Sequence, residues 1–262
     1  MTPEQIEQSA AAIWEARTNA QPLAALPGGA IPRNRAEGYA VQQALARLSG
    51  QQTFGWKIAA TSSAGQKHIG VDAPLAGRLF SNRVLPMSMP ISLSGNSMKV
   101  GEAEFAFRMA ADLPARSEPY RVEEVMANVG ALYPAFELPD SRFIEFIKVG
   151  GPSLIADNAC AHEFVLGDEV KTDWRNLDLS QQRVRVTCEG EANCEGIGAN
   201  VLGDPRIALT WLANELNSYG LMLRAGETVT TGTCVVPFSL QSGKRYNADF
   251  GALGCVSVSF KD

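Results

Sequence analysis

The decapeptide VGEAEFAFRM at residues 100 to 109 limits the folds open to this chain more than any other stretch. It reads as a strand core, and strand side chains alternate between faces. Gly101, Ala103, Phe105, Phe107 and Met109 therefore line one side, while Val100, Glu102, Glu104 and Ala106 line the other. Two carboxylates share one face. On a solvated outer face they are ordinary; on a buried face each charge is costly unless it is paired, protonated or bound to a metal.

A third partner decides between these readings. Glu137, in PAFELPDSR, is the best candidate because apolar residues precede it and a turn follows. Three carboxylates converging without a cation repel by roughly 4 kcal/mol per pair at 4 Å and an effective dielectric of 20. A divalent ion reverses that balance. An all-oxygen site favours magnesium, manganese or calcium over zinc, and magnesium or manganese with open water positions suits catalysis.

Helix signals open the chain. Thr2-Pro3-Glu4-Gln5 reads as an N-cap, a first-turn proline and an acidic first turn, followed by Ile6, Ala10, Ile13 and Trp14 at helical spacing. Asn34 and Glu37 cap a second helix ending near Gly50, after a loop of prolines and glycines. Val122, Val125, Met126 and Val129 mark a short helix, and Asp204-Pro205 starts the clearest one, stopping at Gly220. RVRVTCEGEANCEG reads as a hairpin turning at Glu189-Gly190, and VSVSF near the end as a strand. Helices first and then mostly strands, with a few helices inserted, predict an α+β fold with a β-rich C-terminal body and not a doubly wound sheet.

Several classes are excluded. A formal charge of −5 without Lys/Arg clusters argues against a nucleic-acid partner. No apolar run approaches the roughly 18 residues of a membrane span, and the acidic, amphipathic start is no signal peptide, so the default expectation is no membrane and a cytoplasmic location. Five cysteines without a C-x-x-C pair indicate neither a disulfide framework nor a zinc knuckle. GIGANV at 196 to 201 lacks the final small residue of a dinucleotide fingerprint and follows a hairpin. The serine-hydrolase elbow, the P-loop and H-E-x-x-H are absent.

VGEAEFAFRM resembles the V-E-P-E-x-A-F stretch of the 2-keto-4-pentenoate hydratase and 4-oxalocrotonate decarboxylase family, within the fumarylacetoacetate hydrolase superfamily. Further matches follow in order: GWKIAATS with GVDAPLAGRLF, ELPDSRF, IADNACAHEFVLG, VLGDPRIALTWLANEL, AGETVTTG and ADFGALGCVSVSF. The resemblance runs from about residue 35 to the end. It implies a mixed β-sheet, roll- or barrel-like body of the superfamily's C-terminal type with an N-terminal helical segment. Residues 1–80 would form an N-terminal α/β segment and 81–262 the catalytic body, or the two one continuous domain. It also implies that Glu102, Glu104 and Glu137 bind Mg2+ or Mn2+, that the metal stabilises an enolate of a 2-oxo acid, and that the protein is a homo-oligomer.

The same resemblance carries over other residues. Lys57, in G-W-K-I, matches the family's active-site lysine; read bare, it is a surface ammonium. Thr231, Gly232 and Thr233 correspond to the substrate-side turn, where backbone N–H groups can approach an oxyanion. Asp140 and Arg142 are expected to form an internal ion pair that orients the Glu137 segment. Leu75 stands where the typical hydratase has an acid tied to the hydration step, Cys160 where it has a serine, and Ala103 where proline is usual. Leu75 and Cys160 are accordingly expected against the substrate. His162, two residues past Cys160, shares its face if that segment is a strand, and is the candidate proton relay; His68 is a second candidate.

The expected activity is hydration of a small 2-hydroxy-2,4-dienoate to a 4-hydroxy-2-oxo acid in catabolism of aromatic or related compounds. The alternatives are decarboxylation of a 2-oxo-enedioate, hydrolysis of an acylpyruvate on the same metal enolate, or a family member that has lost catalysis.

Overall fold

A computed structural model describes residues 1–189 and 191–262. Helix α1 (Pro3–Asn19) begins at the expected Thr2 cap, which forms a capping box, with the Thr2 hydroxyl accepting from the Gln5 N–H. Helix α2 (Arg35–Ser49) is capped by Asn34 and closed by Gly50 in the left-handed region. After them come β1 (Thr53–Ala59), α3 (Ser63–Ile69), β2 (Leu75–Phe80), β3 (Val84–Leu85), β4 (Ile91–Ser92) and β5 (Val100–Met109). A short α4 (Val122–Ala127) leads into β6 (Val129–Leu138), then α5 (Gly151–Ala156) and β7 (Glu163–Leu166). β8 (Arg183–Cys188) pairs antiparallel with β9 (Glu191–Ile197); the turn expected at Glu189-Gly190 includes Gly190, outside the described residues. α6 (Pro205–Ser218), β10 (Thr228–Thr233), β11 (Phe238–Ser239), β12 (Arg245–Asp249) and β13 (Cys255–Lys261) complete the chain.

The strands form two sheets. One runs β2-β1-β10-β5-β6-β7-β3, with β11 added on β5; the other runs β4-β13-β12-β8-β9. The first mixes parallel pairs, such as β1 with β10, and antiparallel pairs, such as β5 with β6. It crosses the boundary expected near residue 80, because β1 and β2 hydrogen-bond into the sheet that holds β5 and β6.

The apolar face of β5 meets the second sheet. Phe105 stands edge-on to Phe250, with ring centroids 5.1 Å apart, and Phe238 bridges from Phe136 to Tyr246 of β12. Phe105 and Phe107 are fully buried, each worth about 1.5–3 kcal/mol of transfer free energy. A separate cluster of Ile13, Val41, Leu45, Phe143 and Ala156 joins α1, α2 and α5 over the 140s loop. The opposite face of β5 is thereby left to turn into the first sheet's own concavity.

Candidate active site

The antiparallel register of β5 and β6 sets Glu102 directly across from Glu137, and side chains opposite one another lie on the same face. Alternation adds Glu104 to that face. One carboxylate oxygen from each of the three lies within 4.8 Å of the others. Glu104 and Glu137 are completely buried, while Glu102 is partly exposed and opens onto a cleft of about 720 Å³.

Lys57 on β1 completes the group. In a flat sheet β1 and β6 lie three strand spacings apart, about 14 Å, which is more than a lysine side chain can span. Yet the Lys57 Nζ lies 3.3 Å from Glu137 Oε2, so the sheet curls strongly here. The Lys57 ammonium also donates to the Ala159 carbonyl at 3.2 Å. Burial alone would depress this amine, but Glu137, Glu102 and Glu104 together hold it above the ordinary lysine range.

The carboxylates show the opposite strain. Burial, only partly offset by Lys57 and reinforced by Glu102, pushes Glu137 up to about 8. Burial and its two acidic neighbours raise Glu104 well above the usual carboxylate range. Thr230, on β10, donates its hydroxyl to Glu104 Oε2, and the Gly232 N–H donates to the same oxygen at 2.7 Å. Among the described residues, Glu104 Oε1 and Glu137 Oε1 have no hydrogen-bond donor, and Glu137 Oε2 has only the Lys57 ammonium, at 3.3 Å, as an ion-pair partner. Buried, converging carboxylates that keep oxygens free of any donor are what a hard divalent cation requires, so this residue set fits one.

The corner facing Lys57 is built from three consecutive residues in the left-handed region: Asn158 (φ 60°), Ala159 (φ 49°) and Cys160 (φ 61°). Such a run is unfavourable in isolation. The Asn158 side chain holds it by accepting from the Arg78 N–H at 2.6 Å and donating to the Arg78 carbonyl at 2.7 Å. Gly77 beside it must lack a side chain, since a Cβ there would sit 1.9 Å from the Asn158 carbonyl oxygen. The result aims the Ala159 carbonyl at the lysine.

Leu75, Cys160, Thr233 and His68 line the cleft with Lys57 and Glu102. Burial pushes the Cys160 thiol up to about 12, which leaves it a packing group and not a nucleophile. Thr231 and Gly232 are not among the lining residues: the Thr231 hydroxyl is turned the other way to donate to the Phe105 carbonyl at 3.0 Å, and the Gly232 N–H is committed to Glu104.

The structure corrects two further expectations. His162 does not share a face with Cys160, because residues 158 to 160 form the left-handed corner and β7 starts only at Glu163. His162 instead lines a separate small cavity with Arg17, Asp140 and Arg142, and burial beside these guanidiniums lowers its pKa to about 2. Arg142 pairs with Asp157 (Nε to Oδ1 2.6 Å), not with Asp140, whose carboxylate accepts from the Ser97 and Met98 N–H groups. Thr230 and Asn158 were missed. The threonine-rich run TVTTGT carries a weak signal for the first, and the N-x-C context carries none for the second.

No family model matches the chain. It is 31% identical over 264 residues to the 2-keto-4-pentenoate hydratase of Paraburkholderia xenovorans (strain LB400), covering 100% of this chain and 97% of that protein. Among solved structures it resembles 4-oxalocrotonate decarboxylase from Pseudomonas putida G7 complexed with magnesium and adipate. The TM-score is 0.89 at 27% identity, covering 99% of this chain and 98% of that one. A protein of Yersinia pestis CO92 described as of the fumarylacetoacetate hydrolase family shares the fold at a TM-score of 0.60 and 19% identity, over 78% of this chain and 91% of that one.

A curled mixed sheet with three acidic side chains and a lysine in its concavity defines an enzyme of the fumarylacetoacetate hydrolase fold. Within it, this chain belongs to the 2-keto-4-pentenoate hydratase family.

Proposed function

We propose that the protein is a metal-dependent hydro-lyase that adds water to a 2-hydroxy-2,4-dienoate, giving a 4-hydroxy-2-oxo acid of the kind formed in catabolism of aromatic compounds. The observation that carries this reading is the convergence of Glu102, Glu104 and Glu137 beside Lys57 at one end of a largely apolar cleft. These three carboxylates would hold Mg2+ or Mn2+, and magnesium is present in the decarboxylase structure. When bound, the cation supplies Lewis-acid polarisation of the substrate's 2-oxygen and carboxylate.

The chain's own groups do the rest. Lys57, fixed by Glu137 and the Ala159 carbonyl, presents an ammonium that favours negative charge on the 2-oxygen as the dienol loses its proton. Carbon 5 must gain a proton as the 2-hydroxyl loses one, and the added water divides, its hydroxyl going to carbon 4 and its proton to carbon 3. Leu75, in the wall, can move no proton, so His68 is the imidazole in the cleft that this reading assigns to proton transfer. Leu75, Leu154 and Val235 keep bulk water off the rest of the carbon chain. Thr233 bounds the cleft beside the acidic trio, and Cys160 packs against the substrate side.

The test is turnover of 2-hydroxypenta-2,4-dienoate, oxalocrotonate and acetylpyruvate after EDTA treatment, with and without added magnesium. Magnesium-dependent formation of 4-hydroxy-2-oxopentanoate from the first is the expected result. Carbon dioxide release from oxalocrotonate alone would establish the decarboxylase alternative, which the likeness to that enzyme fits; cleavage of acetylpyruvate would establish the hydrolase. Silence on all three substrates would point to a family member without this catalysis. The proposal includes a cytoplasmic homo-oligomer; among the described residues no helix is long and apolar enough to cross a membrane.

A further inference from the structure

The cleft is larger and more one-sided in its chemistry than a five-carbon acid requires. At about 720 Å³ it falls in the upper part of the ~300–1,000 Å³ range that encloses drug-sized ligands. Its acid and its lysine sit together at one end: among the described lining residues these are Glu102 and Lys57, the only other basic side chain is the His68 imidazole, and no arginine lines it. The remaining wall includes Ile69, Leu154, Phe146, Val236 and Pro237, with His68 edge-on to the Phe146 ring at 6.2 Å between centroids. Val236 is 72% exposed, an apolar side chain standing free at the cleft's rim.

The two lysines on neighbouring segments do not alter this. Lys67 of α3 is not a lining residue, and Lys148 is paired with Glu145 outside the cleft. A carboxylate at the far end of a substrate would give up part of its hydration against Ile69, Phe146 and Val236 and meet no lysine or arginine there, the His68 imidazole being the one basic group beside Phe146. An apolar substituent there gains by leaving water. The decarboxylase of the same fold was crystallised with adipate, which carries a carboxylate at both ends, so a diacid is the contrasting probe.

We propose that this site selects 2-hydroxydienoic monocarboxylates whose carbon 5 bears an apolar group larger than methyl, alkyl or aryl, and rejects those bearing a second carboxylate. Ile69, Phe146 and Val236 are the residues that set this preference. The inference rests on the hydratase reading for the reaction, but the selection itself is a property of binding and is tested as such.

Saturated 2-oxo acids cannot be hydrated, so their binding to the magnesium-loaded protein can be measured by calorimetry whatever reaction the enzyme performs. The probes are 2-oxopentanoate, 2-oxooctanoate, 5-phenyl-2-oxopentanoate and 2-oxoadipate. Affinity is expected to rise about three- to fivefold per added methylene from the first to the second, with the phenyl compound at least as tight as 2-oxooctanoate. 2-Oxoadipate is expected to bind at least tenfold more weakly than 2-oxopentanoate. Val236→Arg, a change at an exposed position that leaves the core untouched, should narrow or reverse that tenfold gap. Equal or tighter binding of 2-oxoadipate to the wild type, or no gain from 2-oxopentanoate to 2-oxooctanoate, overturns the proposal. Failure to hydrate 2-hydroxypenta-2,4-dienoate, with the binding series as expected, removes the hydratase reading and leaves the selection standing.

Discussion

Removing divalent cations with EDTA should lower the melting temperature, and the deficit should grow between pH 5 and pH 8. The three carboxylates have oxygens within 4.8 Å of each other, where each ionised pair repels by about 3 kcal/mol at an effective dielectric of 20. Without a cation the fold relieves this by keeping protons. Glu137 is held at about 8 in the fold against 4.5 ordinarily, so its proton contributes stability that is fully present below about pH 4.5 and lost as pH rises through about 8. A cation competes with that proton and replaces it, so apparent metal affinity climbs over the same window.

At a hundredfold excess over Kd, bound metal adds about 2.7 kcal/mol, which for a chain of this length is about 5 °C in Tm. The assay is thermal unfolding of EDTA-treated protein from pH 5 to 8, with and without magnesium, and of Glu137→Gln alongside. Glu137→Gln should lose most of the magnesium shift and should flatten the pH slope of the metal-free protein. The reasoning fails if magnesium shifts the wild type and Glu137→Gln equally, or if the wild-type shift does not depend on pH.

Three other predictions concern single side chains. Asn158→Ala removes two partly buried hydrogen bonds to the Arg78 backbone from a left-handed corner and should destabilise by about 1–3 kcal/mol in urea unfolding; a loss below about 0.5 kcal/mol would mean the corner holds itself. Lys57→Met should lower kcat by about a hundredfold or more while the protein stays folded by circular dichroism, and near-normal turnover would remove the lysine from the chemistry. His162 is held neutral, with a folded pKa of about 2 below its ordinary 6.5, so its contribution is present above about pH 6.5 and lost as pH falls. His162→Gln should therefore soften the acid limb of the stability profile and leave kcat nearly unchanged; a collapse of kcat would restore it as a proton relay.

Period-two alternation made the pairing of Glu102 and Glu104 legible, because it depends only on local strand geometry. That Glu137 belongs with them was suggested by its apolar approach and following turn. Its position directly opposite Glu102 was not readable, since the register is set by the connection through α4 and by the irregularity in pairing at Arg108 and Met109. Helix α3, which walls the cleft, was readable in principle: Ser62 caps it and Gly70 closes it, but seven residues of small and polar side chains give no periodic apolar face. Thr230, Asn158 and the Asp157 partner of Arg142 act across 15 to 126 positions of sequence, where no local pattern reports contact.

The misplacement of His162 shows where local rules stop. Residues 158 to 162 are small and apolar enough to pass for a strand, and a strand would have put Cys160 and His162 side by side. Asn158, Ala159 and Cys160 instead take left-handed backbone that alanine and cysteine rarely adopt, held by contacts to Arg78 and Gly77 eighty residues earlier. That corner supplies the carbonyl that orients Lys57, and the same turn carries His162 away into the cavity of Arg17 and Arg142. One strained segment thus positions the lysine and turns His162 away, and with Leu75 in the wall the proposed hydration is left with His68 as the imidazole that lines the cleft.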